Sequence, residues 1–143
     1  MAGTQTLAII KPDAVASGQS GRVLAHLQEA GFTVRALRMC RLSVPEAEAF
    51  YAVHRGRPFY GSLCAFMTSG PCVPLILERP DAVAQLRSVI GATDPAEAAP
   101  GTVRKLYAES KERNAIHASD SDENAAWEIG FFFSEGERTR LWG

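Results

Sequence analysis

The sequence predicts an α+β sandwich: a small four-stranded antiparallel sheet with helices packed on one face, in the βαββαβ order of a ferredoxin-like fold. Two observations carry this. Apolar or alternating runs at 7–10, 32–37, 72–77 and around 116–117 read as strands, and the segments between them repeat their apolar residues at helical spacing. The chain's 143 residues suffice for one core burying roughly two-thirds of its unfolded surface, so a single domain over 1–143 is expected.

Composition narrows the function classes. At 46% hydrophobic and 22% charged residues, the chain has the apolar content a packed core needs, and its apolar runs fall well short of the roughly 20 residues of a membrane span. The formal net charge of -1 gives no global attraction to nucleic acid or anionic lipid, so any anion must be held by a local cluster of cations. Cys40, Cys64 and Cys72 lack metal-ligand spacing, and no basic start precedes a long apolar segment. A reducing cytoplasm is the expected setting.

The first strand, from Thr4 to Lys11, holds Leu7-Ala8-Ile9-Ile10 and is stopped by Pro12. Lys11 thus stands at a strand end, within reach of a crevice beyond the sheet. Taken alone, a solvated lysine closing a strand is the commoner case. The loop at 17–21 lacks the G-x-x-x-x-G-K-[ST] phosphate cradle, and the chain has no G-x-G-x-x-G. Val23, Leu24, Leu27 and Ala30 then mark a helix ended by Gly31, and Phe32, Val34 and Ala36 alternate as a second strand.

Ser43-Val44-Pro45-Glu46 is a capping box, with Ala47, Phe50, Tyr51 and His54 as the stripe behind it. On spacing alone Tyr51 and His54 read as core. The turn at 55–61 displays Arg55, Arg57, Phe59 and Tyr60, and a short apolar helix with Leu63, Phe66 and Met67 follows. Phe59 beside cations suits base stacking, although phenylalanine is most often core. Cys72 to Leu77 reads as a third strand, in which Pro74 points to an edge position or a bulge. A helix from Asp81 turns Val83, Leu86 and Ile90 inward and ends at Gly91. The long connection from Gly91 to Arg104 carries Thr93. With Arg87, these are the group types that grip a polyphosphate, through guanidinium forks and a hydroxyl donor.

The densest chemistry lies at 114–124. His117 is followed by Ser119, Asp120, Ser121, Asp122 and Glu123. The hydroxyls and acids cap a helix from about Asp122 to near Gly130, with Ala125, Ala126 and Ile129 on its apolar face and Glu128 beside it. The imidazole before that cap is a candidate base or nucleophile. The Phe131-Phe132-Phe133 tail is expected to pack back on the domain.

Several ordered motifs add a resemblance. Ile10-Lys11-Pro12-Asp13-Ala14-Val15, Arg57-Pro58-Phe59, Ser69-Gly70-Pro71, Gly91-Ala92-Thr93-Asp94-Pro95 and Asn114-x-x-His117-x-Ser119-Asp120-Ser121 make the chain similar, over essentially its whole length, to the nucleoside diphosphate kinase family, bacterial-type members with a short C-terminus. The resemblance implies ping-pong transfer of the γ-phosphate of a nucleoside triphosphate, mainly ATP, to nucleoside diphosphates through phosphorylated His117, which maintains NTP and dNTP pools. It implies that Lys11 and Tyr51 meet the transferring phosphate and that Arg57, Arg87, Thr93 and Arg104 hold the others. Ser119 and Glu128 would support His117, Phe59 and Leu63 would sandwich the base, and Asn114 with Lys11 would bind the sugar. Mg2+ would be held mainly by nucleotide phosphates, with no metal ligand from protein side chains. The resemblance further implies a homo-oligomer, tetramer or hexamer, built from dimers. It leaves His26 and His54 as structural residues. Ala118 stands where the family commonly has glycine, which would restrict the backbone beside the nucleophile. Two other classes fit less well. A scaffold or nucleotide sensor on this fold would have lost the nucleophile or an arginine, and a nucleic-acid binder would carry a basic surface.

Overall fold

The structure is a computed structural model, and it describes residues 3–142. Strands β1 (Gln5–Ile10), β2 (Thr33–Leu37), β3 (Val73–Glu78) and β4 (Ile116–Ala118) form one sheet in the order β2-β3-β1-β4, with every neighbouring pair antiparallel. This is the ferredoxin-like order. Helices α1 (Pro12–Ala16) and α2 (Ser20–Glu29) follow β1. Helices α3 (Val44–Phe50) and α4 (Tyr60–Met67), joined by a 3-10 turn at Ala52–His54, connect β2 to β3. Helices α5 (Ala82–Ile90) and α6 (Val103–Tyr107) precede β4, and α7 (Asp122–Phe132) and α8 (Glu135–Trp142) close the chain.

Helices cover both faces of the sheet, not the one face expected. Leu7 and Ile9 point into a cluster with Ile76 of β3 and with Phe50, Met67 and Ile129, contributed by α3, α4 and α7. Ala8 and Ile10 point the other way, against Leu27, Leu86 and Ile90 of α2 and α5. The cause lies in β1 itself: an unbroken apolar run buries both of its faces, whereas a one-sided strand would alternate with polar residues.

Pro74 is neither at an edge nor in an edge strand, because β3 lies inside the sheet between β1 and β2. Its carbonyl accepts from Arg38 N at 3.2 Å, so its missing N–H faces the β2 side. There β2 has ended at Leu37, after an irregular register between Val34 and Ala36. The irregularity foreseen at Pro74 is thus taken up by the neighbouring strand.

The Ser43 capping box forms as expected, with Glu46 N donating to Ser43 Oγ at 3.2 Å and Ser43 N to Glu46 Oε1 at 2.9 Å. Ser121 caps α7 through Asn124 N. That helix runs past Gly130 to Phe132, because Ile129 and Phe133 are both buried and bring its last turn onto the core. Phe131 and Phe132 pack edge-on or tilted around Phe50. Three short helices escape the sequence reading: α1 and α6, of five residues each, and α8, which starts from a second capping box between Ser134 and Glu137.

Candidate active site

His117 sits on β4 opposite Ile9 of β1, at the end of the sheet where α7 begins. Its Nε2 lies 2.7 Å from Glu128 Oε1, and Ser119 Oγ donates to the same oxygen at 2.8 Å. A carboxylate oxygen only accepts, so Nε2 carries the proton and Nδ1 keeps its lone pair. No described residue hydrogen-bonds Nδ1. The Phe50 ring meets the imidazole edge-on, with centroids 5.4 Å apart, and limits its rotation.

The backbone leading into His117 is bent in an unusual way. Ala115 is fully buried at φ +73°, and Ile116 N donates to Asn114 O at 2.9 Å across it, which closes a γ-turn of the strained hand. Both backbone polar groups of Ala115 are held. Asp13 Oδ2 accepts from Ala115 N at 3.1 Å, and Ala115 O accepts from Lys11 N at 2.8 Å. The carboxyl of Asp13 is raised above its ordinary range by burial, against the pull of the Ala115 amide. The constraint expected at Ala118 is absent, since that residue lies in extended β4 and its carbonyl accepts from Arg87 Nη1 at 3.3 Å. The left-handed position is three residues earlier.

A cleft of about 710 Å³ opens over His117. Lys11, Arg87, Thr93, Arg104 and Asn114 line one part of it, and Tyr51, Phe59 and Leu63 another. Lys11 Nζ donates to Asn114 Oδ1 at 2.9 Å, and Asn114 Nδ2 donates to Thr93 O at 3.2 Å. Arg104 is anchored by the carbonyls of Gly91 and Ile116 at 3.0 and 2.7 Å, while its Nε is buried without a partner. Burial, then the neighbouring Arg104, lowers Lys11 to about 8. Burial, then Arg87, lowers Arg104 to about 10. Cations held this close, on the part of the cleft away from Asp120, Glu123 and Glu128 of the α7 side, suit an anion of several charges.

Tyr51 is buried, and its hydroxyl has no partner. Phe59 is 46% exposed at the mouth of the cleft, where it presents an aromatic face beside Leu63. Of the site residues singled out in the sequence, Arg57 and Ser119 do not line the cleft: Arg57 is solvent-exposed in the turn before α4. Ser119 lies behind the imidazole, on Glu128. His54, read as structural, lines the cleft between Tyr51 and Phe59, with ring centroids 6.3 and 5.1 Å away. Helical spacing puts it on the Tyr51 stripe, which reads equally well as core. Asp13 carries no signal of its role in the sequence, because its partner is 102 residues away. Trp127 and Asn124 also line the cleft from the helix face that bears Glu128. His26 lies on α2, away from the cleft.

A ferredoxin-like sheet that sets an imidazole with one unengaged nitrogen under a cluster of cations and a half-exposed aromatic defines a protein built to bind nucleoside phosphates. Residues 4–138 match the family model described as nucleoside diphosphate kinase. The nucleoside diphosphate kinase of Chlorobium chlorochromatii is 60% identical over 136 residues, 95% of this chain and 97% of its own length. Among solved structures, that of the Aquifex aeolicus nucleoside diphosphate kinase has a TM-score of 0.92 at 46% identity, covering 94% of this chain and 97% of its own. The enzyme from Halobacterium salinarum, solved in complex with CDP, has a TM-score of 0.89 at 36% identity, covering 93% and 89%. The chain belongs to the nucleoside diphosphate kinase family and is a nucleoside-diphosphate kinase.

Replacing Asp13 with alanine leaves the buried Ala115 N–H without an acceptor, which costs about 1–3 kcal/mol. Asp13→Ala is therefore expected to unfold at lower urea concentration and to transfer phosphate more slowly. Asp13→Asn, which keeps an acceptor oxygen, should stay close to the parent in both. Urea titration with parallel rate measurements checks the pair.

Proposed function

We propose that the kinase reaction of this chain runs through His117 Nδ1. The observation that carries this is the hydrogen bond from Nε2 to Glu128, which leaves Nδ1 as the nitrogen with a lone pair to give. In the first half-reaction Nδ1 attacks the γ-phosphorus of a nucleoside triphosphate, mainly ATP. The N–P bond forms as the bond to the β–γ bridging oxygen breaks, and ADP leaves with that oxygen. The ring keeps its Nε2 proton, so the positive charge it gains faces Glu128, which Ser119 holds in place. In the second half, a terminal oxygen of a bound nucleoside diphosphate attacks the same phosphorus and Nδ1 is released. Exchange of this kind keeps NTP and dNTP pools in balance.

The other cleft residues would act by position and charge. Lys11 and the unpartnered Tyr51 hydroxyl would meet the transferring phosphoryl group, and Arg87, Arg104 and Thr93 the remaining phosphates. Arg57 would need its turn to fold inward to join them. Phe59 and Leu63 would pack on the base, reading no base edge, and Asn114 with Lys11 would bind the sugar. Mg2+ would enter on the nucleotide. Among the described residues no group of three or more His, Cys, Asp or Glu forms a metal site, while the cleft's cations call for phosphate oxygens, which are the hard ligands Mg2+ takes. Its contribution would be to neutralise phosphate charge.

The proposal extends to the assembly and its setting. One catalytic domain would associate through dimers into a tetramer or hexamer, a reading supported by the open edge of β2 with Leu37, Met39 and Leu141 exposed around it. No helix among the described residues is long and apolar enough to cross a membrane, and the cytoplasm, where nucleotide pools turn over, is the proposed location.

Intact mass after incubation with ATP and Mg2+ tests the covalent step. The wild type should gain one phosphoryl group and lose it to GDP as GTP forms, and His117→Ala should gain none. A folded, nucleotide-binding wild type that takes up no phosphoryl group would overturn the reading. The pH profile tests Lys11. Its free-enzyme value of about 8 lies below the ordinary lysine range, so its charge is present at neutral pH and lost as pH rises through 8. kcat/KM should therefore fall above about pH 8, and Lys11→Gln should flatten that limb at a lower level.

A further inference from the structure

The excursion that carries Tyr51, His54, Phe59 and Leu63 leaves the sheet after β2 and rejoins it at β3, and two cysteines stand at its root. Cys40 and Cys72 face each other across an isolated antiparallel bridge. They exchange both backbone hydrogen bonds, 2.9 Å from Cys40 N to Cys72 O and 2.8 Å in return. Residues opposed in this way have Cα atoms about 5.5 Å apart, within the roughly 4.4–6.8 Å that a disulfide spans. Both are free thiols, hydrogen-bonded to each other. The phosphoryl transfer described above uses neither.

The two sulfurs differ in environment. Cys72 is fully buried, whereas Cys40 is partly exposed beside Arg38. The hydrogen bond from Cys72, and then the charge of Arg38, lower Cys40 to about 7 against its own burial and the opposing charge of Glu46. The same contact, together with burial, raises Cys72. One thiol is thus the accessible attacker and the other the resolving partner.

We propose that Cys40 and Cys72 form a reversible disulfide, a redox modification site that takes a hydroperoxide as oxidant and clasps the root of the nucleotide-facing excursion. The Cys40 thiolate attacks a peroxide oxygen, the O–O bond breaks, and Cys40 becomes a sulfenic acid as hydroxide leaves and is protonated to water. The Cys72 sulfur then attacks the Cys40 sulfur. The S–S bond forms, the S–OH bond breaks, and the departing hydroxide takes the Cys72 proton as water. Two thiols are oxidised and one hydrogen peroxide is reduced to two waters. A small dithiol reverses the link by exchange. Closure ties together the ends of a segment containing α3 and α4, so it raises resistance to unfolding by restricting the unfolded chain.

The test uses the full chain, hydrogen peroxide as oxidant and iodoacetamide alkylation after denaturation, read by mass. The three cysteines of the reduced protein should all be alkylated. After peroxide only Cys64 should react, a peptide linking Cys40 to Cys72 should be found, and Tm should rise by about 5 °C or more, all reversed by dithiothreitol. Cys40→Ser should keep its basal phosphoryl-transfer rate yet form no link and show no Tm shift. Three reactive thiols after peroxide, a sulfinic acid at Cys40 without a link, a bond to Cys64 or between molecules, or a link without a Tm gain would each overturn the proposal. Phosphohistidine formation is read separately, so failure here leaves the His117 reading untouched.

Discussion

The hydrogen bond between His117 Nε2 and Glu128 Oε1 leaves Nδ1 as the imidazole nitrogen with a lone pair, the one through which the proposed transfer runs, and two distant parts of the fold meet to make it. His117 is placed by the register of β4 against β1, where it opposes Ile9. Glu128 is placed by the start of α7, set by the Ser121 cap and held by the burial of Ala125 and Ile129. A one-residue slip in the short β4 ladder would turn the imidazole to the opposite face of the sheet. The turn at Ala115, clamped from Asp13 and Lys11, works against such a slip, because it fixes how the chain enters β4. Strain in the backbone and accuracy at the nucleophile are thus linked through three residues.

Around that centre the protein accepts an electrostatic cost. Lys11 and Arg104 are both largely buried, and beyond that burial Arg104 disfavours the charge on Lys11 while Arg87 disfavours the charge on Arg104. Arg104 even leaves one buried nitrogen without a partner, as Tyr51 leaves its hydroxyl. Unpaired buried polar groups of this kind destabilise a resting protein by a few kcal/mol apiece. Carbonyl contacts to Gly91, Ile116 and Ala118 keep the arginines from collapsing onto nearby acids.

Much of this was legible in the chain. The unbroken run at Leu7 to Ile10, the helical stripes behind Ser43 and Asp81, and the acid-rich cap before α7 each carry a local pattern, and the matching elements form. What escaped is what local patterns do not encode. Helices α1 and α6 are too short to show a period. Pro74 reads as an edge signal, yet the interruption falls in the adjoining strand. His54 is indistinguishable by spacing from a core histidine, and only the fold reveals that its stripe faces the cleft mouth. The link between Asp13 and Ala115 spans most of the chain. The positive φ at Ala115 follows from that link and not from the residue type, so the sequence marks Ala118 instead. The motif around Arg57 gives no hint that its exposed turn sets it outside the cleft.

The most direct test of the account asks where the phosphorus is attached. Protein carrying 15N-labelled histidine, phosphorylated with ATP and Mg2+ and kept at alkaline pH, would be studied by NMR through the coupling between phosphorus and the ring nitrogens. Coupling to Nδ1 of His117 is the predicted result, with Nε2 still protonated toward Glu128. Phosphorus on Nε2 would contradict it, since that nitrogen would have to abandon the hydrogen bond on which the whole arrangement rests.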